Sequence, residues 1–581
     1  MDLMKYRLYT DRIYPTMTEQ ILCGRGVENV KKWLNADMSC ISSWDKLEDI
    51  KEGVKLLEGV IKHDSKAVVV VDSDLDGYSS AAILFNYLYS IYPEWTKNNL
   101  SYLLHDGKQH GLEDMADNIS NGTELILCPD SSSNDYNCHE QLVGKADILI
   151  LDHHLADHKS TSINTITVNN QLCDYPNKEF SGAGIVWQFC RAYDDIVGVK
   201  GKIDIDLAAW GNCGDMMSFK NIETKAFITE GFSNIQNHFF QEMINANEYT
   251  LNKYGGIGYK AIAFAAVPFV NATVRSGTME EKEAVFRAMC DMWSDELVPN
   301  TKRGFKGTKI EAYKQAVYLT QSIKRRQTKL ENESLEVIEN KIKDEKLLDN
   351  AILVCCCDPG EVEPNIRGLA ANKIASKYQR PCLVLTKSKT KNDEEYFYRG
   401  SGRNYSMSEV QDLKAIEEST GLMEYVQGHN NAHGCGIAEK NIKAFTEATN
   451  KAYEDIPKEP VYWVDYIWKT NEVTSGNLLE LAGMSSYWGQ DIPASQIAIV
   501  DIDLQQCQLN LCGAKKNTLR MIFPNGIVGV KFGITEDDFN KLLAPNMYMT
   551  CIASPQRNEW EGKISGELII DNYELESKWI F

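Results

Sequence analysis

The sequence predicts an α/β protein: a doubly wound, largely parallel sheet, a smaller second α/β unit, and a small C-terminal β-barrel. Three observations predict it. First, the β-branched run Val68–Val71 is followed by the helix-like AAILFNYLYSIY from Ala81, and strand-like runs recur at Tyr102–Leu104, Leu125–Cys128 and Ile148–Leu151. Strands alternating with helical spacers build parallel sheets. Second, the stretch from about 310 to 347 is charged and free of Gly and Pro, and a new strand–helix–strand pattern starts beyond it at Ala351–Cys357, near Gly368–Tyr378 and at Cys382–Leu385. The charged stretch reads as one helix of roughly 50 Å, the kind that bridges two bodies. Third, after about 455 the pattern turns to short strands with Gly, Pro and Asn turns, ending in GKISGELIIDNYEL.

A chain of 581 residues is too long for one core, and three or four domains are expected. The divisions fall at 1–60 (a helical segment), 61–235 (the first sheet domain), 236–348 (a helical region and the connecting helix), 349–455 (the second α/β unit) and 456–581 (the barrel). The formal charge of −21 argues against a general nucleic-acid coat, but metal-holding carboxylates and a local basic groove can coexist with an acidic exterior. Sixteen cysteines without a CxxC pair read as reduced, small core residues, as in the apolar run AILVCCC. The N-terminal MDLMKYRLYTDR has no apolar signal region, and no apolar run reaches membrane-spanning length, so a cytoplasmic place and no membrane contact are expected.

The strongest signal is where the acids fall. Strand 68–71 runs into Asp72-Ser73-Asp74-Leu75-Asp76-Gly77, strand 125–128 into Pro129-Asp130, and strand 148–151 into Asp152-His153-His154. In an open parallel sheet the carboxyl ends of strands line one crevice, so these groups converge despite their separation in sequence. Five carboxylates there repel unless cations neutralise them, and oxygen ligands with one or two imidazoles suit Mn²⁺ or Mg²⁺. DSDLDG alone could be a solvated turn; three acidic strand ends in one sheet make that reading poor. Six of the ten histidines fall between 101 and 160, of which His139 and His158 read as plain surface residues.

VDSDLDG, LCPD and LDHH resemble the first, third and name-giving motifs of the DHH phosphoesterase family, and LAAWGNCGDMMSF resembles its fifth acidic motif, marking Asp215. The resemblance implies two metal ions bridged by Asp130. Asp74 holds one; Asp76, His153 and Asp215 hold the other; His154 faces the scissile phosphate and Asp152 orients the histidines. Many members carry a histidine where this chain has Val70, which leaves Asp72 or water to complete the first ion's ligands.

Further segments are similar to the RecJ-type exonucleases of that family. SGAGIVWQF resembles their GAG segment, and VPFVNATVRSG their NAxGR segment, which implies Asn271 and Arg275 near a nucleotide phosphate; Val274 replaces that segment's second glycine, so its backbone is expected to differ. IRGLAANKIASKYQRPCLVL resembles the DHH-associated domain, and GSGR and GHNNAHGCGI match its binding motifs, so that Ser401, Arg403, Gly428 and His429 would grip a substrate phosphate. NEWEGKISGELIIDNYEL resembles the last strands of an OB-fold, where Trp560, Tyr548 and Arg557 are candidates for a single strand, though Trp560 is equally a core candidate. The implied activity is two-metal, 5′-to-3′ hydrolysis of single-stranded DNA to 5′-mononucleotides, with single-strand-binding or other replication and repair proteins as partners. Two rivals remain: a hydrolase of cyclic dinucleotides or short oligonucleotides, and a catalytically silent scaffold that binds DNA or replication proteins.

Overall fold

The structure, a computed structural model, describes residues 4–107, 109–389, 396–454, 456 and 460–578. The chain forms two compact units, one of Arg25–Arg325 with Met484–Ala494, the other of Met1–Gly24, Arg326–Gly483 and Ser495–Phe581.

In the first unit, strands β1 (Lys66–Val71), β2 (Leu100–Leu104), β3 (Thr123–Pro129), β4 (Asp147–Asp152) and β5 (Thr165–Asn169) form a wholly parallel sheet in the order β2-β1-β3-β4-β5. Residues 67–71 of β1 are all buried, as expected of a strand covered on both faces. On one face Val68, Val70, Ile126, Cys128, Ile148 and Ile150 pack against Leu112, Met115, Cys138 and Leu142. Helix α1 (Leu75–Ile91) is buried almost all round, against α2 (Gly182–Val197) and α3 (Ile205–Gly214). It starts six residues before the apolar run suggested, because Asp74 caps it: Oδ1 accepts the Gly77 amide at 3.1 Å. Strand β5 (TITVN), short and polar, was not among the expected strands. The strand order reverses between β1 and β3, which opens a crevice at their carboxyl ends.

A further helix of this unit, α4, spans Val267–Ser276. The charged stretch is one 33-residue helix, α5 (Ala312–Asp344), within which the chain passes from one unit to the other. The second unit holds β6 (Leu353–Cys357), α6 (Arg367–Tyr378), β7 (Cys382–Lys389), β8 (Tyr396–Arg403), α7 (Leu413–Ser419), β9 (Met423–His429) and β10 (Ala432–Ala438). Its sheet runs β9-β10-β8-β7-β6, parallel only at β6/β7. Cys355 and Cys357 lie in its core, and all sixteen cysteines are free.

The C-terminal part is a β-sheet domain whose strands are consistent with the expected OB-like fold, though not a closed barrel. Seven strands form an open sheet carried by a long hairpin, β11 (Met547–Trp560) and β12 (Lys563–Ser577), and the sheet does not close among the described residues. The helix Ser475–Gly483 packs on both long strands. At Gly566 the approach leaves no room for a Cβ, which would meet Leu478 and the Ser475 carbonyl. The N-terminal stretch, expected to be helical, has helices at Met17–Gly24 and Ile50–Lys62 but begins with a strand, Lys5–Leu8, paired in parallel with Val461–Val464.

Candidate metal centre

The expected acids converge in the first unit's crevice. Asp72 follows β1, Asp74 caps α1, Asp76 lies in its first turn, Asp130 follows β3, Asp152 ends β4 and Asp215 caps the C-terminus of α3. Three overlapping groups have ligand atoms within 4.8 Å of one another: Asp76, His153 and Asp215; Asp130, His153 and His154; and Asp72, Asp74 and Asp130. Asp130 and His153 are shared between groups.

Asp130 is held in the left-handed region at φ 67°, and its amide donates to the Leu151 carbonyl at 2.8 Å. A non-glycine residue kept in that region by its surroundings is backbone strain used to aim a side chain. Asp76 is gripped by the N-terminus of α2, where the Gly182 and Ala183 amides donate to its two oxygens at 2.7 and 3.1 Å. Ser181 caps that helix through the Gly184 amide. The SGAG segment is therefore the cradle of Asp76. A Cβ on Gly182 would overlap the Asp130 carboxylate, and one on Gly211 would overlap that of Asp76.

The electrostatics call for cations. Burial, then the charge of Asp215, pushes Asp74 up to about 6 and Asp76 up to about 7; Asp130 is raised well above the carboxylate range by burial and then by Asp76, Asp74 and Asp215. Neither oxygen of Asp130 has a hydrogen-bond partner. His153 Nε2 lies 3.1 Å from Asp130 Oδ1 and 3.2 Å from Asp215 Oδ2, yet makes no aligned hydrogen bond. Buried atoms left this way are costly unless something binds them, and hard oxygens with an imidazole suit a divalent ion.

Asp152 differs from its neighbours. Its Oδ1 accepts the amides of His153 and His154 and His154 Nδ1 at 2.7, 3.2 and 2.8 Å, and Oδ2 accepts the Ser133 amide at 3.1 Å. Burial pushes its pKa up, but the His154 imidazole and these donors outweigh burial and hold it well below the usual range. It fixes the His154 ring, which stays half exposed. Sequence reasoning missed a matching pair: His110 Nδ1 lies 2.7 Å from Asp72 Oδ2, and the Gly111 amide donates to Oδ1 at 3.2 Å. The crowding of histidines between 101 and 160 was its only signal.

Val70 is fully buried in the apolar layer beside Val68 and Cys128. Val70→His should therefore not add a ligand. An imidazole without a partner there costs about 1–3 kcal/mol. The measurements are thermal unfolding and metal titration, and tighter metal binding with unchanged stability would refute this.

Asn271 and Arg275 lie on α4. Asn271 Oδ1 accepts the Leu75 amide at the start of α1 at 3.0 Å, and Arg275 is half-buried, its pKa lowered by burial and partly restored by Asp74. With Val274 in place of glycine the segment is uninterrupted helix. In the second unit, Ser401 and Arg403 share a face of β8, and a Cβ on Gly368 at the start of α6 would come within 2.8 Å of Arg403 Nη2. Gly428 takes φ 124°, and His429 ends β9. His139, expected at the surface, is buried with Nδ1 3.0 Å from Ser160 Oγ; His158 is exposed and stacks on Tyr136. Trp560 is exposed at the hairpin tip, Arg557 pairs with Glu559, and Tyr548 lies under Lys578.

The family model described as the DHH family, N-terminal domain, matches residues 66–211. A Bacillus subtilis (strain 168) protein named putative SPbeta prophage-derived single-strand DNA-specific exonuclease YorK is 32% identical, covering 99% of this chain and 98% of its own length. The single-stranded-DNA-specific exonuclease RecJ of the same bacterium is 21% identical over 100% of this chain and 70% of its own. The crystal structure of RecJ in complex with Mn²⁺ from Thermus thermophilus superimposes with a TM-score of 0.70 at 16% identity, covering 96% of this chain and 76% of that one. With a whole-length relative at this identity and the acids of the family's motifs gathered in one crevice, the chain belongs to the DHH family, on its RecJ-like branch.

Proposed function

We propose that the protein is a divalent-metal-dependent exonuclease that shortens single-stranded DNA from its 5′ end, releasing 5′-mononucleotides. The observation that carries this is Asp130: a buried carboxylate whose oxygens accept no hydrogen bond among the described residues, shared by two groups of ligand atoms. The names of the relatives support the substrate, and RecJ structures solved with Mn²⁺ and with Mg²⁺ support the metal. Asp74 and Asp130 would hold one ion, with Asp72 or water completing its ligands, and Asp76, His153, Asp215 and Asp130 the other. Two ions bound there would lower the pKa of a water and neutralise charge growing on the phosphate.

The chain's own residues do the rest. Asp152 accepts from His154 Nδ1, which leaves Nε2 to face the scissile phosphate. Asn271 positions the first turn of α1, and with it Asp74 and Asp76, while Arg275 lends positive charge beside Asp74. In the second unit Ser401, Arg403, Gly428 and His429 would bind a substrate phosphate, and Trp560 offers an exposed ring on which a base can stack. No helix among the described residues is long and apolar enough to cross a membrane. A cytoplasmic place, with single-strand-binding or repair proteins as partners, belongs to the same reading.

The test is a set of end-labelled single-stranded, double-stranded and cyclic substrates, each with Mn²⁺ and with Mg²⁺. Single strands should be shortened from the 5′ end. Cleavage of cyclic dinucleotides with none of long single strands would replace this reading by its rival, and no cleavage of anything would favour the scaffold. Chelation should abolish hydrolysis, and Mn²⁺ should restore it better than Mg²⁺, because imidazole ligands favour the softer ion. Equal activity in chelator would refute the metal requirement.

A further inference from the structure

Strand β8 presents a row of polar side chains. Arg399, Ser401 and Arg403 alternate with Tyr398, Gly400 and Gly402, so they share one face of the sheet. Their partners across the ladder on β10 are Gly436, Gly434 and Ala432, which add no long side chain of their own beside the row. Ser401 and Arg403 belong to the phosphate-binding motif already described. Arg399, four residues from Arg403 and about 13 Å from it at the strand rise, has no role in that motif.

Arg399 is exposed, and Arg367, the first residue of α6, lies against it. Arg367 Nη1 donates to the Arg399 carbonyl at 2.7 Å and Nε to the Pro364 carbonyl at 3.2 Å, which fixes a half-buried guanidinium in place. Burial, then the like charge of Arg399, pushes the Arg367 pKa down; the opposing influences are the Tyr425 hydroxyl and the Cys435 thiol, with no carboxylate among them. Tyr425 pairs with Gly436 on the side away from Arg399, and a Cβ on that glycine would overlap its ring. At the neighbouring end of α6 the N-cap residue Ile366 supplies no side-chain cap. Among the described residues no acid pairs with either arginine, and two guanidinium groups held together in this way are held at a cost that a bound anion offsets.

We propose that Arg367, Arg399 and the Tyr425 hydroxyl form a second phosphate subsite, which takes a phosphodiester farther along a strand whose first phosphate lies at Ser401 and Arg403. This rests on the reading of a single strand as substrate and deepens it. A strand fills both subsites, whereas a released mononucleotide fills one, so the second subsite favours strand over product.

Binding can be read without cleavage, by fluorescence anisotropy of the full chain carrying Asp130→Asn. The probes are a labelled, 5′-phosphorylated oligothymidylate of eight nucleotides and, in competition, thymidine 5′-monophosphate, each over a series of salt concentrations. Arg399→Ala should weaken the octanucleotide by roughly tenfold and flatten its salt dependence by about one phosphate contact, a slope change near 0.7 for a single strand. Arg399→Glu should weaken it further and Arg399→Lys should recover part of the loss, while the mononucleotide binds all of them as it binds the parent. An octanucleotide that binds Arg399→Ala and its parent with the same affinity and slope overturns the subsite alone. Equal weakening of octanucleotide and mononucleotide overturns it too, since Arg399 would then act on the first subsite. A parent that holds no oligonucleotide at all overturns the single-strand reading, and the subsite with it.

Discussion

Asp130→Asn lowers the rate of phosphodiester cleavage by roughly a thousandfold or more, a loss of several kcal/mol of transition-state stabilisation. Asparagine fits the site sterically and tolerates the left-handed φ of 67° as well as aspartate does, so the fold should persist. What goes is the anionic oxygen pair that two of the three ligand groups share. The same substitution should raise the melting temperature measured in chelator at neutral pH. Burial and three neighbouring aspartates raise the Asp130 pKa above its ordinary 3.8, so the folded state binds its proton more tightly than the unfolded state does. The stability tied to that proton is lost as pH rises through the folded-state value, and an uncharged amide removes the penalty. With divalent ion present the order reverses, because the variant forfeits the stabilisation that ligand binding supplies. A variant that cleaves at the parental rate, or gains as much stability from the metal as its parent, rules out Asp130 as the shared ligand.

Most of this centre could be read from the sequence because its strands are buried on both faces and end abruptly in acids. Val68–Val71, Leu125–Cys128 and Ile148–Leu151 are apolar runs that cannot continue through Asp72, Asp130 or Asp152, so strand end and ligand coincide. Asp215 has no such local mark, since it ends a helix, and only the family motif pointed to it. Partnerships made across long stretches of chain were not legible. Nothing local says that His110 will meet Asp72, or that the α2 amides will grip Asp76 from 106 and 107 positions away. The parallel pairing of Lys5–Leu8 with Val461–Val464 is of the same kind. His139 reads as exposed because it is a polar residue in a polar stretch, whereas its bond to Ser160 lets it be buried. Gly, Pro and Asn turns mark where strands stop but not whether the sheet closes, so the C-terminal strands suggest a barrel where the structure has an open sheet.

Glycines carry part of the site's design, and Gly182 gives the sharpest test of that. It is the first residue of α2, where alanine is the better helix former by about 0.5–1 kcal/mol, so propensity alone predicts that Gly182→Ala stabilises. Packing predicts the opposite for function. The added Cβ would overlap Asp130 Oδ1 and lie 2.6 Å from its Cβ and 2.7 Å from its Cγ. Asp130 cannot retreat along the backbone, because its φ and its hydrogen bond to the Leu151 carbonyl are fixed by β4, so the carboxylate must swing away. Misplacing a reacting group by about 1 Å costs on the order of a hundredfold in rate. Gly182→Ala should accordingly lose roughly that much in kcat and bind divalent ion more weakly by calorimetry. Gly59, in the helix Ile50–Lys62, is the control: a Cβ there meets nothing within 4 Å, so Gly59→Ala should add about 0.5–1 kcal/mol of stability and leave kcat alone. If Gly182→Ala behaves like Gly59→Ala, the close approach of α2 to Asp130 is not what sets the carboxylate's position.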